Sequence, residues 1–305
     1  MRILFIGLGS IARKHLTALK SILNNSEFYA LRSGINTDDI SDVNNLYSFD
    51  EVADKFFDFA IVSNPTSEHK RTIERLLEFN IPLFIEKPLH SSVDIEDLVL
   101  AINNNGIFTY VACNLRFLDC LNFVKKNIFN IKEKRLNEVN VYCGSYLPDW
   151  RPNLDFRKSY SANSEMGGGV HIDLIHELDY LYWLFGKPVE VIRKFKSQSS
   201  LSISSTDYAN YILDFNGFCA SIILNYYRRD TKRTLQLVFD DETWDVDLLT
   251  NQVVTQGQII FSSDQRIADT YPLQMRYFLN SVAVEKKSMN TVADAYEVLK
   301  ICLGK

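Results

Sequence analysis

The stretch Arg2-Ile3-Leu4-Phe5-Ile6-Gly7-Leu8-Gly9-Ser10-Ile11-Ala12 decides the fold. An apolar run leads into a glycine turn, and apolar residues then recur at helical spacing. Strand, glycine turn and helix in this order begin a βαβ unit that binds a dinucleotide. Gly7 permits the tight turn, and Gly9 lets the backbone approach a pyrophosphate at the helix N-terminus. We therefore expect Gly7, Gly9, Ser10 and Ile11 to contact such a cofactor, a tight turn without a ligand being the alternative.

The composition is that of a globular chain with 305 residues and a net charge of −5. This length favours two domains. The charge balance and the lack of a basic block disfavour a nucleic-acid partner, and no apolar run is long enough to span a bilayer. Five widely spaced cysteines without a Cys-x-x-Cys pair fit reduced thiols in a cytoplasmic protein better than disulfides or a metal site.

Two patterns of apolar residues divide the chain near residue 117. Before it, short apolar strands alternate with helices, which predicts a parallel sheet covered on both faces. After it, Asn216-Gly217 between two alternating runs indicates a hairpin. The predicted fold class is α/β. A Rossmann dinucleotide-binding domain is expected over residues 1–117, and an α+β domain with a large, mostly antiparallel open sheet over residues 118–305.

The residues after the second strand bear on the type of dinucleotide. An acid is expected there, about 20 residues beyond the glycine turn, if a ribose 2′-hydroxyl is bound. The sequence instead has Arg32-Ser33, and an arginine can accept a 2′-phosphate through charge-assisted hydrogen bonds. This favours NADP. The alternative is that Arg32 is a solvated surface residue and that NAD binds.

The tripeptide Glu86-Lys87-Pro88 follows an apolar strand over residues 83–85. Ligands of open α/β sheets bind at the carboxyl ends of the strands, so Lys87 is expected near the nicotinamide. A lysine in that position can donate or accept a proton. A surface Glu-Lys pair at the end of a strand is the alternative.

A strongly periodic helix is predicted over residues 169–185. Within it Asp173, His176, Glu177 and Tyr180 have the spacing of one helix face. An imidazole and a carboxylate one turn apart can share a proton or orient each other. The alternative is an aspartate that favours the helix dipole and an ordinary surface histidine.

Five motifs occur in order along most of the chain. They are Gly7-x-Gly9-x-x-Ala12, Ser63-Asn64-Pro65-Thr66 with His69, Glu86-Lys87-Pro88, Asn114-x-Arg116-Phe117, and Gly167-Gly168-Gly169 followed by Asp173 and His176. The ordered set resembles the glucose–fructose oxidoreductase/inositol dehydrogenase/MocA (Gfo/Idh/MocA) family. The resemblance implies a Rossmann domain and a mainly β C-terminal domain whose open sheet face often joins subunits into homo-oligomers.

The same resemblance implies roles for residues of these motifs. Lys87 and His176 would handle the proton, with Asp173 assisting. The residues implied to lie by the cofactor are Ser63, Asn64, Pro65, His69, Glu86, Lys87, Asn114 and Arg116. The chain departs from the family twice, because the usual Asp-x-x-x-His is Asp173-x-x-His176 and the acid after the second strand is missing.

The irregular stretch Tyr146-Leu147-Pro148-Asp149-Trp150-Arg151-Pro152, with Tyr160-Ser161-Ala162 after it, resembles a branch associated with bacterial surface-glycan biosynthesis. It is expected to border the substrate pocket. Arg151 or Arg157 can bind a phosphate or carboxylate, and Trp150 can stack on a sugar or the nicotinamide. Trp150 and Tyr160 are equally compatible with simple packing.

The function expected from these residues is hydride transfer between NADP(H) and a hydroxyl or keto carbon of a sugar derivative, such as a nucleotide sugar or a sugar acid. A second possibility is a redox-assisted glycoside hydrolase or lyase that keeps NAD tightly bound. A third is a non-catalytic dinucleotide-sensing regulator. The third is disfavoured because a pure sensor has no need of Lys87 and His176 as a proton relay.

Overall fold

The computed structural model describes residues 1–34, 40–128, 134–284 and 287–304. The chain forms two compact units, which are Met1–Cys113 together with Tyr271–Lys305, and Asn114–Thr270. The expected boundary after residue 117 thus lies close to Cys113, where the chain first passes from one unit to the other. The expected second domain is too long, however, because the last 35 residues group with the first unit.

The first unit is built on a six-stranded parallel sheet. Its strands are β1 (Arg2–Ile6), β2 (Glu27–Leu31), β3 (Val43–Leu46), β4 (Phe59–Val62), β5 (Leu83–Ile85) and β6 (Thr109–Val111). The helices between them are α1 (Ser10–Ile22), α2 (Phe49–Ala53), α3 (His69–Leu76) and α4 (Glu96–Asn105). The strand order is β3-β2-β1-β4-β5-β6, and the chain reverses its direction of winding between β1 and β4. Ligands of doubly wound sheets bind at this reversal.

In its described residues, the second unit is built on an eight-stranded sheet and three α-helices. The helices are α5 (Asp119–Ile128), α6 (Val170–Asp173) and α7 (His176–Phe185). The strands are β7 (Leu136–Tyr146), β8 (Glu190–Lys196), β9 (Tyr208–Asp214), β10 (Cys219–Asn225), β11 (Tyr227–Phe239), β12 (Thr243–Asp247), β13 (Gln252–Thr255) and β14 (Gln258–Ser262). Their order is β14-β13-β12-β11-β7-β10-β9-β8. All described pairs are antiparallel except β7 with β10.

The hairpin predicted at Asn216-Gly217 is confirmed. Strands β9 and β10 pair antiparallel on either side of it. Asn216 has φ 52° and Gly217 has φ 148°, the positive torsions that asparagine and glycine tolerate best in short hairpin turns. The α/β fold class and the mostly antiparallel second sheet are therefore as expected.

The return of the chain to the first unit has a clear packing cause. Helices α8 (Thr270–Ala283) and α9 (Val292–Leu303) end the described chain. The fully buried Phe278 packs its ring 5.1 Å from that of Phe59. Asn290, just before α9, also bonds to β6, since its O accepts from Val111 N at 2.9 Å and its Nδ2 donates to Val111 O at 2.8 Å. The two bonds of Asn290 satisfy the backbone N–H and C=O of Val111 on β6, the edge strand of the sheet.

The single helix predicted over residues 169–185 is wrong. The structure has two helices, because Leu174 leaves helical torsions with φ −99° and ψ 27°. Asp173 ends α6, and His176 begins α7. No helix in the described part of the chain has the length and apolar composition needed to cross a membrane.

Candidate active site

The glycine turn lies at the carboxyl end of β1. Gly7 has φ +82°, and a Cβ at this position would lie 3.0 Å from the Cα of Asn64. Gly7 N also donates to the carbonyl of Leu31 at 3.0 Å. A side chain at position 7 would therefore strain the backbone and push the turn away from the loop after β4.

The N-terminus of α1 is exposed beyond this turn. Gly9 is the N-cap, and in the first turn, all of which the structure describes, there is neither a side-chain cap nor an acid. No described atom lies within 4 Å of a Cβ built on Gly9. Ser10 and Ile11 begin the helix, whereas Ala12 is fully buried, as expected for a packing position. The helix start can thus receive an anion on its backbone N–H groups.

A cavity of about 580 Å³ opens beside the turn. Its lining residues come from the ends of β1, β2 and β4 and from α2 and α3, and are Ile6, Gly7, Leu8, Gly9, Leu31, Arg32, Ser33, Phe49, Asn64, Pro65, Glu68, Arg71, Thr72 and Arg75. The Asn64 amide donates to Thr72 Oγ1 at 2.7 Å. Its Oδ1 is buried without a hydrogen-bond partner among the described residues, so it can accept a bond from a ligand. These features fit a dinucleotide.

Three arginines line this cavity. The largely buried Arg32 donates to Asn45 Oδ1 at 3.0 Å, and the exposed Ser33 follows it. Arg71 and Arg75 project from α3, and the Arg75 guanidinium lies 4.6 Å from the centre of the Phe49 ring. Among the described lining residues, Glu68 is the only acid. The alternative of a solvated surface arginine at position 32 is therefore wrong.

Ser63 and His69 brace the loop after β4. Ser63 Oγ lies 3.2 Å from the carbonyl oxygens of both Ile6 and Gly7, to which it can donate a hydrogen bond. The buried His69 ring places one nitrogen 3.1 Å from Leu89 O and the other 3.1 Å from Asn64 O. Burial lowers the pKa of His69. The structure thus gives His69 a bracing role in the protein interior and does not support the expected cofactor contact.

Glu86 and Lys87 follow β5 directly. Glu86 is 7% exposed, and its carboxylate contacts the ring of the fully buried His15 on α1. The other carboxylate oxygen accepts the Lys87 backbone N–H at 3.2 Å. Lys87 is half-buried, and its peptide bond with Pro88 is cis. The lysine thus follows the carboxyl end of β5, next to a buried carboxylate, and it is not one of the described residues that line the cavity at the glycine turn.

In the second unit, Asp173 is paired with a residue that the sequence did not single out. The Tyr226 hydroxyl donates to Asp173 Oδ2 at 2.5 Å. Tyr226 is fully buried, and its burial, with the adjoining carboxylate, raises its pKa well above the ordinary value of 10. The Tyr226 phenol therefore keeps its proton, and it orients Asp173 by donating a hydrogen bond to the carboxylate.

The other members of the predicted helix face separate. His176 is half-buried at the start of α7. Glu177 is fully buried and pairs with Arg233 through an Arg233 Nε–Glu177 Oε1 contact of 2.9 Å. Tyr180 is also fully buried. The prediction that Asp173, His176, Glu177 and Tyr180 share one helix face is therefore wrong. The helices α6 and α7 are separate, and the side chains of Glu177 and Tyr180 lie in the interior.

The motif at residues 114–117 serves the interior of the second unit. Arg116 is 3% exposed and forms a bidentate pair with Asp179 on α7, with nitrogen–oxygen distances of 2.9 and 2.7 Å. Asn114 is buried and donates to Thr270 Oγ1 at 2.8 Å. The guanidinium of Arg116 is thus occupied in fixing α7, and the structure does not support the expected cofactor contact.

The irregular stretch before α6 packs against Tyr226. The Trp150 ring lies edge-on to that of Tyr226 at 5.4 Å, and its indole N–H donates to Ser145 Oγ at 2.9 Å. Trp150 remains 41% exposed. Tyr160 OH donates to Gly167 O at 2.9 Å, a packing contact within the loop. Trp150 therefore has a surface that faces solvent next to the Asp173–Tyr226 pair.

Crowding within the loop explains the glycine at position 168. A Cβ on Gly168 would lie 1.9 Å from Tyr160 O, so no side chain fits there.

The expected anion-binding residues Arg151 and Arg157 are both exposed. The Arg157 guanidinium stacks over the neighbouring Phe156 ring at 4.6 Å.

Comparison with known families agrees with this architecture. Residues 1–112 match the Gfo/Idh/MocA model described as an oxidoreductase family with an NAD-binding Rossmann fold. Residues 130–244 match the model of the Gfo/Idh/MocA C-terminal domain. The chain belongs to the Gfo/Idh/MocA oxidoreductase family. The glycine turn in the matched N-terminal region is thus part of an NAD-binding Rossmann fold.

Three similar proteins illustrate the range of this Gfo/Idh/MocA chain's relatives. The 2,7-anhydro-N-acetylneuraminate hydratase of Mediterraneibacter gnavus is 26% identical over 190 residues, covering 60% of this chain and 47% of the relative. The chain thus matches about half the length of that protein.

Two solved structures align along nearly the whole chain. The UDP-N-acetylglucosamine 3-dehydrogenase GnnA of Acidithiobacillus ferrooxidans has a TM-score of 0.77 at 17% identity, covering 100% of this chain and 97% of that chain. The WlbA dehydrogenase of Bordetella pertussis, solved with NADH and UDP-GlcNAcA, has a TM-score of 0.83 at 16% identity, covering 99% and 93%. At these identities the likeness shows the fold.

Several site residues were missed by the sequence reasoning. Arg71 and Arg75 had a usable signal, since they lie four residues apart on the helix after Asn64-Pro65. His15 lies three residues beyond Ala12, on the buried side of α1. Tyr226 had no local signal, because its partner is 53 residues away in the sequence.

Proposed function

We propose that this Gfo/Idh/MocA family member catalyses reversible hydride transfer between NADP(H) and a hydroxyl or keto carbon of a sugar derivative. One observation carries the proposal. The cavity at the glycine turn and the half-buried Lys87 belong to the carboxyl edge of the same sheet, which is where doubly wound sheets bind their ligands.

When bound, the nicotinamide supplies the chemistry of accepting or donating the hydride. In the oxidative direction the carbinol loses its hydroxyl proton as the carbon–hydrogen bond breaks, and the carbonyl forms. We assign that proton to Lys87 or His176, each of which carries a nitrogen that can donate or accept a proton. Asp173, which accepts a hydrogen bond from Tyr226 at 2.5 Å, is proposed to assist His176 within the second unit.

The preference for NADP rests on the charge of the cavity. Three arginines, Arg32, Arg71 and Arg75, line it with one acid among the described lining residues. A ribose 2′-phosphate is doubly charged at neutral pH and suits guanidinium donors, whereas a 2′-hydroxyl is neutral. NAD remains the alternative cofactor. An enzyme that uses the cellular NADP(H) pool is expected in the cytoplasm.

The substrate class is proposed from relatives and from the loop before α6. Two similar structures have UDP-sugar compounds in their names or complexes. The exposed Trp150 can stack on a sugar ring, and the exposed Arg151 and Arg157 can bind a phosphate or carboxylate. A nucleotide sugar or sugar acid, used in surface-glycan synthesis, satisfies both features.

The test is a dehydrogenation screen read at the absorbance of reduced nicotinamide. Sugars, sugar acids, inositols and nucleotide sugars are each offered with NADP and with NAD, after NADPH and NADH affinities have been compared by fluorescence titration. The proposal expects tighter NADPH binding and reduction with at least one substrate. Tenfold tighter NADH binding, equal to about 1.4 kcal/mol, would overturn the assignment of Arg32.

A second candidate is elimination or hydration with transient oxidation by a retained NAD. The hydratase from Mediterraneibacter gnavus favours it. The two candidates differ in net cofactor consumption. Stoichiometric formation of reduced nicotinamide supports the dehydrogenase, and product formation without it supports the retained-cofactor reaction.

We also propose that a second copy of the chain covers the open face of the eight-stranded sheet. Ile192 and Ile212 face each other across β8 and β9 and are 54% and 42% exposed. Large exposed aliphatic side chains on a broad sheet suit a subunit interface. Light scattering of the wild type and of Ile212→Lys tests this, with a smaller particle expected for the variant and an unchanged monomer in both contradicting it.

A further inference from the structure

The buried pair of His15 and Glu86 lies behind the Glu86-Lys87-Pro88 turn. His15 is 0% exposed on α1, the helix that starts at the glycine turn. Its Nε2 contacts Glu86 Oε1. A polar pair in such a buried place costs free energy of desolvation unless both partners are satisfied, so its presence calls for a role.

The hydrogen-bond pattern defines how the pair works. His15 Nδ1 is buried and has no hydrogen-bond partner among the described residues. A ring that carries its proton on Nε2 donates to Glu86 and leaves only a lone pair without a partner. A doubly protonated ring would bury an N–H group without an acceptor, which is costlier. His15 therefore acts as a hydrogen-bond donor to the Glu86 carboxylate.

The carboxylate passes this restraint to the lysine. Glu86 Oε2 accepts the Lys87 backbone N–H at 3.2 Å, and Glu86 N donates to Val62 O at 2.9 Å. The Glu86 backbone is thus fixed by β4, and its side chain is fixed by His15. The His15 ring is itself fixed edge-on to Phe84 at 4.8 Å.

We propose that His15 is a positioning residue that holds Lys87, through the Glu86 carboxylate, in the orientation from which it transfers the substrate proton. This inference rests on the proposed role of Lys87. His15 is not one of the described residues that line the cavity at the glycine turn, and its ring contacts the Glu86 carboxylate. It acts by restricting the backbone from which the lysine side chain extends, and misplacement of a reacting group by about 1 Å can cost about 100-fold in rate.

The test uses His15→Leu, which removes the donor, and His15→Gln, whose amide nitrogen can replace Nε2. Leu19→Ala is the matched control, because Leu19 is fully buried one turn further along α1 and has no polar contact to lose. Two quantities are measured on the full chain. They are amide hydrogen exchange of Lys87 and steady-state turnover with the substrate found by screening.

For His15→Leu we expect Lys87 amide exchange about tenfold faster or more and kcat reduced by about 10–100-fold with KM for substrate nearly unchanged. His15→Gln should recover most of both. Leu19→Ala should lower stability and leave both near wild type. If His15→Leu folds poorly, Glu86→Gln replaces it, because a neutral amide weakens the same restraint.

The outcomes separate the two proposals. Wild-type exchange and turnover in His15→Leu overturn the inference, as does an effect matched by Leu19→Ala. Lys87→Ala is assayed in parallel. Wild-type turnover of Lys87→Ala overturns the proposed function of the lysine, while the exchange of the Lys87 amide still tests whether His15 restrains it.

Discussion

The Tyr226 hydroxyl donates a hydrogen bond of 2.5 Å to Asp173 Oδ2, although the two residues are 53 positions apart in the chain. Hydrogen bonds to charged groups contribute about 1.5–3 kcal/mol. Tyr226→Phe removes this donor and weakens the restraint on the carboxylate. We expect kcat to fall by about tenfold, the equivalent of about 1.4 kcal/mol, with little change in dinucleotide affinity.

The matched control is Tyr227→Phe, which removes a hydroxyl from the adjacent, half-buried tyrosine. Steady-state kinetics over a range of substrate concentrations distinguish kcat from KM. Equal turnover of Tyr226→Phe, Tyr227→Phe and the wild type would show that the Asp173–Tyr226 bond has no part in the reaction.

The arginines of the cavity are expected to select the cofactor. Arg32→Ala and Arg75→Ala should each weaken NADPH binding by about tenfold or more, because a charge-assisted bond to phosphate is lost. NADH binding should change little. Arg2→Ala is the control, since Arg2 begins β1 and pairs with Glu27. Fluorescence titration gives the affinities, and parallel losses for both cofactors would argue against recognition of a 2′-phosphate.

The Arg116–Asp179 pair is expected to govern stability. Arg116→Ala leaves a buried carboxylate without its partner, which typically costs about 3–5 kcal/mol. Arg116→Lys should not recover the loss, because an ammonium cannot make the bidentate contact. Chemical denaturation measures the free energy of unfolding. Unchanged stability combined with weaker NADPH binding would instead support the cofactor contact that the sequence motif suggested.

His171 is expected to make the stability depend on pH. Burial lowers its pKa from 6.5 to about 4, partly opposed by Asp173, and its ring stacks on Phe195 at 4.9 Å. Above pH 6.5 the His171 ring is neutral in the folded and the unfolded chain, so it adds no pH dependence to the stability. Between about pH 6.5 and 4 the unfolded chain takes up a proton that the folded chain does not, so the free energy of unfolding decreases as the pH falls.

The size of this loss is on the order of 2 kcal/mol, since the ring keeps partial contact with solvent. His171→Phe keeps an aromatic ring and removes the titration. Its unfolding free energy, measured by denaturation at several pH values, should fall less steeply than that of the wild type across this window. Parallel curves for the two proteins would contradict the assignment, because the buried His69 is present in both.

Local signals predicted the first unit well. The glycine turn and the short apolar strands are signals that act within a few residues. The positive torsions at Gly7 and Asn216-Gly217 likewise have local causes. The arrangement of the cofactor turn was therefore accessible from the sequence.

Contacts between distant residues could not be predicted in the same way. Asp179 neutralises Arg116 across 63 positions, which turned an expected cofactor residue into a structural one. The break at Leu174 separated Asp173 from His176, although their spacing suits a single helix. Phe278 and Asn290 pack against or bond to a sheet whose last strand, β6, ends at Val111, far earlier in the sequence. Each of these outcomes depends on tertiary packing, which no local pattern encodes.

The central claim is that Lys87 and His176 move the substrate proton during NADP-linked hydride transfer. Its most direct test is the turnover of Lys87→Ala and His176→Ala with the screened substrate, read at the absorbance of reduced nicotinamide, with the surface variant Lys70→Ala as control. Each of the two is expected to lose about 10²–10⁴-fold in kcat, and Lys70→Ala to stay near wild type. Wild-type rates in both Lys87→Ala and His176→Ala would contradict the account.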